Sequence, residues 1–196
     1  WLGSVLALST AILFTILHLL QNRWWLWTLA LLNFVIAYFA FFQLEIIQKL
    51  NIFFGYQLVG ITILYLLPDL FLKKDWSLTP QWRLPLRIFG ATFLFITSIV
   101  LFTQNTSGHI AINYFAMALF CTAYVLAYRN AYIAYLPAAY FSLTIFYALD
   151  AFNIDAWLPA LTILSVVYYS LGAILRKREN WGDMLRNSGM TLGIIL

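Results

Sequence analysis

Seven uninterrupted apolar runs, each near the length of a bilayer-crossing helix, constrain this chain more than any other feature. They cover about residues 2–20, 24–42, 52–72, 86–103, 110–128, 133–149 and 157–175. A helix rising 1.5 Å per residue needs about 20 apolar residues to cross about 30 Å of hydrocarbon. The runs are continuous, whereas a membrane strand alternates its faces over about ten residues. Inside a bilayer every backbone amide needs an internal partner, which a helix supplies unaided. The composition agrees, with 64% apolar, 19% aromatic and only 9% charged residues. That leaves too little polar surface to cover a water-soluble globule. The expected fold is therefore all-α, a polytopic transmembrane bundle forming a single domain over residues 1–196. It has about seven complete helices and a partial eighth at 188–196. The chain opens on Trp1 and closes inside that last run, so we expect it to belong to a longer polypeptide. The first run lacks a basic leader and an A-x-A-type cleavage site, and reads as a span rather than a signal peptide.

Orientation follows from the basic residues. Of the 11 Lys and Arg, all but Lys49 fall in alternate connections: Arg23, then Lys73, Lys74, Arg83 and Arg87, then Arg129, then Arg176, Lys177, Arg178 and Arg186. Short basic connections stay in the cytoplasm, which places residue 1 outside and suggests a bacterial inner membrane. The net charge of +4 does not indicate nucleic-acid binding, because the basic residues follow the loops instead of gathering on one face. Trp24, Trp25, Trp27, Trp76, Trp82 and Trp181 flank the same boundary, as interfacial anchors do. Lys73, Lys74, Arg83 and Arg87, with Arg176, Lys177 and Arg178, are expected to contact lipid headgroups. The long connection 73–87 should lie along the membrane surface.

Ionisable residues inside or beside the spans carry the remaining signal, since charge in lipid is costly. Asp69 is the foremost candidate for an ion or proton site. It follows Pro68, whose missing N–H frees a carbonyl; the competing expectation is a helix stop against Lys73 and Lys74. Glu45, Gln57, His109, Asn113, Asp150 and Asp155 fall near one outer boundary and form a candidate polar pocket. They lack the spacing of a metal site, and none is assigned to a metal. Asn33, central in the second run, is expected to hydrogen-bond a neighbouring helix. Ser107-Gly108-His109 reads as a turn. No buried lysine offers a Schiff base, no Walker or Rossmann glycine pattern appears, and no cofactor is identified. Cys121, the single cysteine, lies in an apolar run and builds no disulfide within one chain.

Tyr135-Leu136-Pro137-Ala138 returns as Trp157-Leu158-Pro159-Ala160, which marks two similar helix starts. Ala138, Ala139, Ser142 and Gly172 would permit close helix approach, with no G-x-x-x-G motif expected to make it specific. The stretch from Tyr135 to Leu185, including Arg176-Lys177-Arg178-Glu179-Asn180-Trp181, resembles large uncharacterised bacterial polytopic proteins with repeated aromatic- and alanine-rich spans between basic, Trp-containing turns. The resemblance implies a membrane-embedded helical fold and transfers no catalytic residue. The expected role is a non-enzymatic accessory or scaffold component, with membrane lipids and other membrane subunits as partners. A small-solute or proton carrier, or a sensory module, is the alternative. A membrane-embedded lipid-modifying enzyme comes third.

Overall fold

The computed structural model describes residues 2–71, 79–128, 131–175 and 181–196, apart from the side chains of residues 46, 79–81, 131 and 181. Helices and short connections make up these residues, with no strand among them: α1 (Leu2–Gln21), α2 (Trp24–Phe42), a single turn α3 (Glu45–Gln48), α4 (Phe54–Phe71), α5 (Thr79–Phe102), α6 (Ser107–Tyr128), α7 (Tyr135–Ala151), α8 (Trp157–Leu175) and α9 (Trp181–Ile195), with a 3-10 turn at Ala131–Ala134. Seven of the helices are long and apolar enough to cross a membrane. The protein is accordingly a polytopic helical membrane protein.

Helix ends depart from the sequence expectation in instructive ways. α5 starts at Thr79, so the second half of the connection expected to lie along the headgroups is helical instead. Pro80 sits in its first turn, where the amide hydrogen it lacks would have had no helical partner. α6 starts at Ser107, so Ser107-Gly108-His109 forms a first helical turn and not a loop. α4 runs on through Pro68 to Phe71 rather than stopping there. α9 begins at Trp181, well before the apolar run at 188, and takes Asp183 and Arg186 into a helix. Both copies of the Pro-Ala motif open a helix, with Pro137 and Pro159 third in α7 and α8. Asn22, Asn51 and Asn153 adopt left-handed φ values of 50°, 47° and 53° just beyond α1, α3 and α7. Asparagine tolerates that region, and a left-handed residue is a common way to end a helix.

The chain divides into two compact units, Trp1–Ile99 and Val100–Leu196. In the first, Leu31, Ile61, Tyr65 and Leu86 form a core, packed around by Trp27, Phe34, Tyr38, Phe89 and Phe93 among others. Tyr65 stacks on Phe89 and Phe93 at 5.5 and 5.8 Å, and its hydroxyl donates to the Leu31 carbonyl at 2.6 Å. The Thr62 and Thr97 hydroxyls share a buried hydrogen bond of 3.2 Å. Lipid tails are as apolar as leucine, so dispersion packing and such interhelical hydrogen bonds must carry association. Asn33 does not contribute to this as expected; its side chain donates to the Leu29 carbonyl in its own helix at 2.9 Å.

The second unit is held differently. Tyr114 is fully buried and stacks on Tyr140 and Tyr147, with centroids at 5.9 and 5.8 Å. The Tyr168 hydroxyl reaches from α8 to the Ala138 carbonyl of α7 at 2.9 Å. α8 and α9 approach backbone to backbone. A Cβ on Gly189 would lie 2.6 Å from the Ser165 carbonyl oxygen, and one on Gly172 would collide with the Arg186 amide nitrogen. Ser165 Oγ donates to the Gly189 carbonyl at 2.6 Å. Gly189 and Gly193 form a G-x-x-x-G pair, whose missing side chains allow this approach.

Candidate functional site

Asp69, third from the end of α4, is completely buried. Arg83 and Arg87 stand four residues apart on α5, a spacing that puts both on one helix face. Arg83 Nε donates to Asp69 Oδ1 and Arg87 Nε to Oδ2, each at 2.9 Å. Each carboxylate oxygen thus has its own charge-assisted hydrogen bond, the stronger class of such bonds. The side chains of Arg83 and Arg87 remain 21% and 44% exposed. The three side chains together carry a net charge of +1. Pro68 does release a backbone acceptor, but it is the Leu64 carbonyl, about 7.5 Å back along the axis from Asp69 at 1.5 Å per residue. The carboxylate and the freed carbonyl therefore do not lie side by side.

A second polar group sits in the same unit, at the α1–α2 connection. His18 is 1% exposed. Its Nδ1 lies 2.8 Å from the Arg23 carbonyl, which can only accept, so Nδ1 carries the proton of that bond. Nε2 is buried without a hydrogen-bond partner among the described residues. Trp82 meets the imidazole edge to face at 4.4 Å, and Trp27 packs on Trp82 at 4.5 Å. Trp27 Nε1 donates to the Trp82 carbonyl at 3.0 Å, tying α2 to the start of α5. Trp82 immediately precedes Arg83, so the aromatic and ionic groups are continuous through the chain.

The six residues of the candidate outer pocket are distributed over both units. Glu45 is an exposed residue opening the α3 turn, and Gln57 is half-buried in the first turn of α4. Gln57 is locally engaged: Nε2 donates to the Ile52 carbonyl at 3.2 Å and its own carbonyl accepts from the Tyr38 hydroxyl at 2.8 Å. In the second unit His109 and Asp150 line one open cleft of about 740 Å³, together with Thr106, Ser107 and Asn153. Ser107 Oγ donates to Asp150 Oδ2 across the mouth of the α6–α7 pair. Asn113, one turn below His109, donates to the His109 carbonyl at 2.7 Å, and its Oδ1 is buried without a partner among the described residues. Asp155 is exposed and does not line this cleft.

Among the described residues no group of three His, Cys, Asp or Glu is placed to hold a metal ion. Lys73, Lys74, Arg176, Lys177 and Arg178, expected at the headgroups, lie outside the described residues. The pairing of Asp69 with Arg83 and Arg87 was missed from sequence, although an aspartate closing one span and an Arg-x-x-x-Arg opening the next was available as a signal. Two further cavities are almost wholly apolar. One of about 410 Å³ lies among Val5, Leu8, Phe34, Tyr38 and Phe41; one of about 450 Å³ lies among Tyr135, Leu143, Tyr168 and Leu192. No known family, no curated protein and no solved structure matches the chain.

Proposed function

We propose that this polytopic protein is a non-enzymatic accessory or scaffold component of a larger assembly in the bacterial inner membrane, with lipids and other membrane subunits as its partners. The observation that carries the reading is the closed state of its buried charge. Asp69 is spent on two arginines of its own unit, whereas carriers keep intramembrane carboxylates poised on a substrate or proton path. Apolar surface is plentiful instead. Phe95, Ile163, Ile174 and Ile194 are 67%, 66%, 70% and 84% exposed, a surface suited to lipid or to neighbouring helices.

Full-length protein extracted from its native membrane in polymer discs, without detergent, should run as a particle larger than one copy, containing other membrane proteins in fixed ratio. Purified chain in liposomes loaded with a pH-sensitive dye should pass no protons above the protein-free control. Proton flux abolished by Asp69→Asn would replace this reading with the carrier one. A sensory or carrier role finds its best support in the His109–Asp150 cleft, whose lining is partly polar. There, an Asp150→Asn change would alter solute binding while Asp69→Asn would not.

The same reading has residue 1 outside and the basic connections in the cytoplasm. Cysteines placed at Asn105 and Asn153 should react with an impermeant thiol reagent added outside, and those at Ser77 and Asn180 should not. The reverse pattern would invert the topology.

A further inference from the structure

We propose that Arg83 and Arg87, oriented by Asp69, form a binding site for the phosphate of an anionic membrane lipid. The inference is independent of the accessory role. Position is its first support: Arg83 is the second residue of the apolar span Trp82–Phe102, and Asp69 is third from the end of α4. The group therefore lies where a span meets the headgroup layer. Charge is the second. Two guanidinium groups share the single Asp69 carboxylate, which gathers cationic groups at the edge where lipid phosphates gather.

Geometry is the third support. Each Nε is anchored to a separate Asp69 oxygen, which fixes both guanidinium planes while the side chains stay 21% and 44% exposed. A planar fork held in place before its ligand arrives loses less freedom on binding, and phosphate is a ligand such a fork suits. Trp82, adjacent in sequence and packed on Trp27, supplies the amphipathic wall expected beside a headgroup. Asp69 is thus a positioning residue, and the arginines are the contacts.

This assignment has a signature that plain electrostatics does not. Spin-labelled phosphatidylglycerol and phosphatidylcholine, each added to the full chain in phosphatidylcholine discs, report the fold-preference for the anionic lipid. Arg87→Gln should lower that preference about five-fold, the equivalent of about 1 kcal/mol per basic residue at an anionic surface. Asp69→Asn removes a negative charge, so a generic basic surface would bind phosphatidylglycerol more tightly; loss of orientation predicts weaker binding. If Asp69→Asn does not fold, the double change Arg83→Lys with Arg87→Lys decides the matter, since it keeps the charge and removes the forks. Reduced preference in the lysine double supports the site. Wild-type preference in the lysine double, or increased preference in Asp69→Asn, overturns it. Inorganic phosphate in phosphatidylcholine discs should neither stabilise the protein nor displace phosphatidylglycerol; either effect would make a free oxyanion the occupant and overturn the lipid.

Discussion

The two units solve one problem by different means. Helices in lipid gain nothing from hiding apolar surface, so something else must hold them together. The first unit uses polar chemistry at one end, with Asp69 between two arginines and Trp27 bonded to the Trp82 carbonyl, above an aromatic stack on Tyr65. The second uses closeness, bringing α8 and α9 together at Gly172 and Gly189 until their backbones nearly touch. Charge tolerates some movement and attracts ligands. Backbone contact tolerates almost none. The contrast sets an ionic joint in the first unit against a close-packed one in the second.

The largest effect should come from removing the charge. Asp69→Leu leaves two arginines without their carboxylate and should cost about 3 kcal/mol, the low end for a broken buried pair because both arginines can turn toward water. Thermal unfolding in detergent would register it, and an unchanged midpoint would mean the ion pair is dispensable to the first unit. Next is closeness. Gly189→Val drives a side chain into the Ser165 carbonyl and should cost about 1–3 kcal/mol by overpacking. A disulfide between cysteines at positions 165 and 193 should form in the parent and fail in this variant; persistence of the cross-link would show that the α8–α9 contact can yield. The smallest effects should be equal in the two units. Tyr65→Phe and Tyr168→Phe each delete one interhelical hydrogen bond and should each cost about 0.6 kcal/mol, the average for such bonds in a membrane protein. A clear inequality would reveal that one unit compensates better than the other.

The spans were legible because hydropathy is a local property; each needs only its own twenty or so residues to declare itself. Helix starts were harder. Thr79, Ser107 and Trp181 begin helices in polar sequence, because a first turn needs no amide partners and so tolerates proline, glycine and charge. Asp69 stood out in the sequence as an acid beside a span, but its partners did not, since pairing with Arg83 and Arg87 depends on how α4 and α5 come together. The Gly189–Gly193 pair overturns the expectation that no G-x-x-x-G motif occurs, although its spacing is visible in the sequence. His18 is enclosed by two tryptophans, one of which is 64 residues away in the chain, a contact that no local pattern announces.

The reversal at Asn22 has a consequence for how α1 and α2 can move. Only Asn22 and Arg23 separate α1 from α2, and both are tied back, Asn22 through its amide and Arg23 through its carbonyl, to His18. Two residues leave the adjoining helix ends no slack to part. Any displacement of α1 must therefore carry the start of α2 with it.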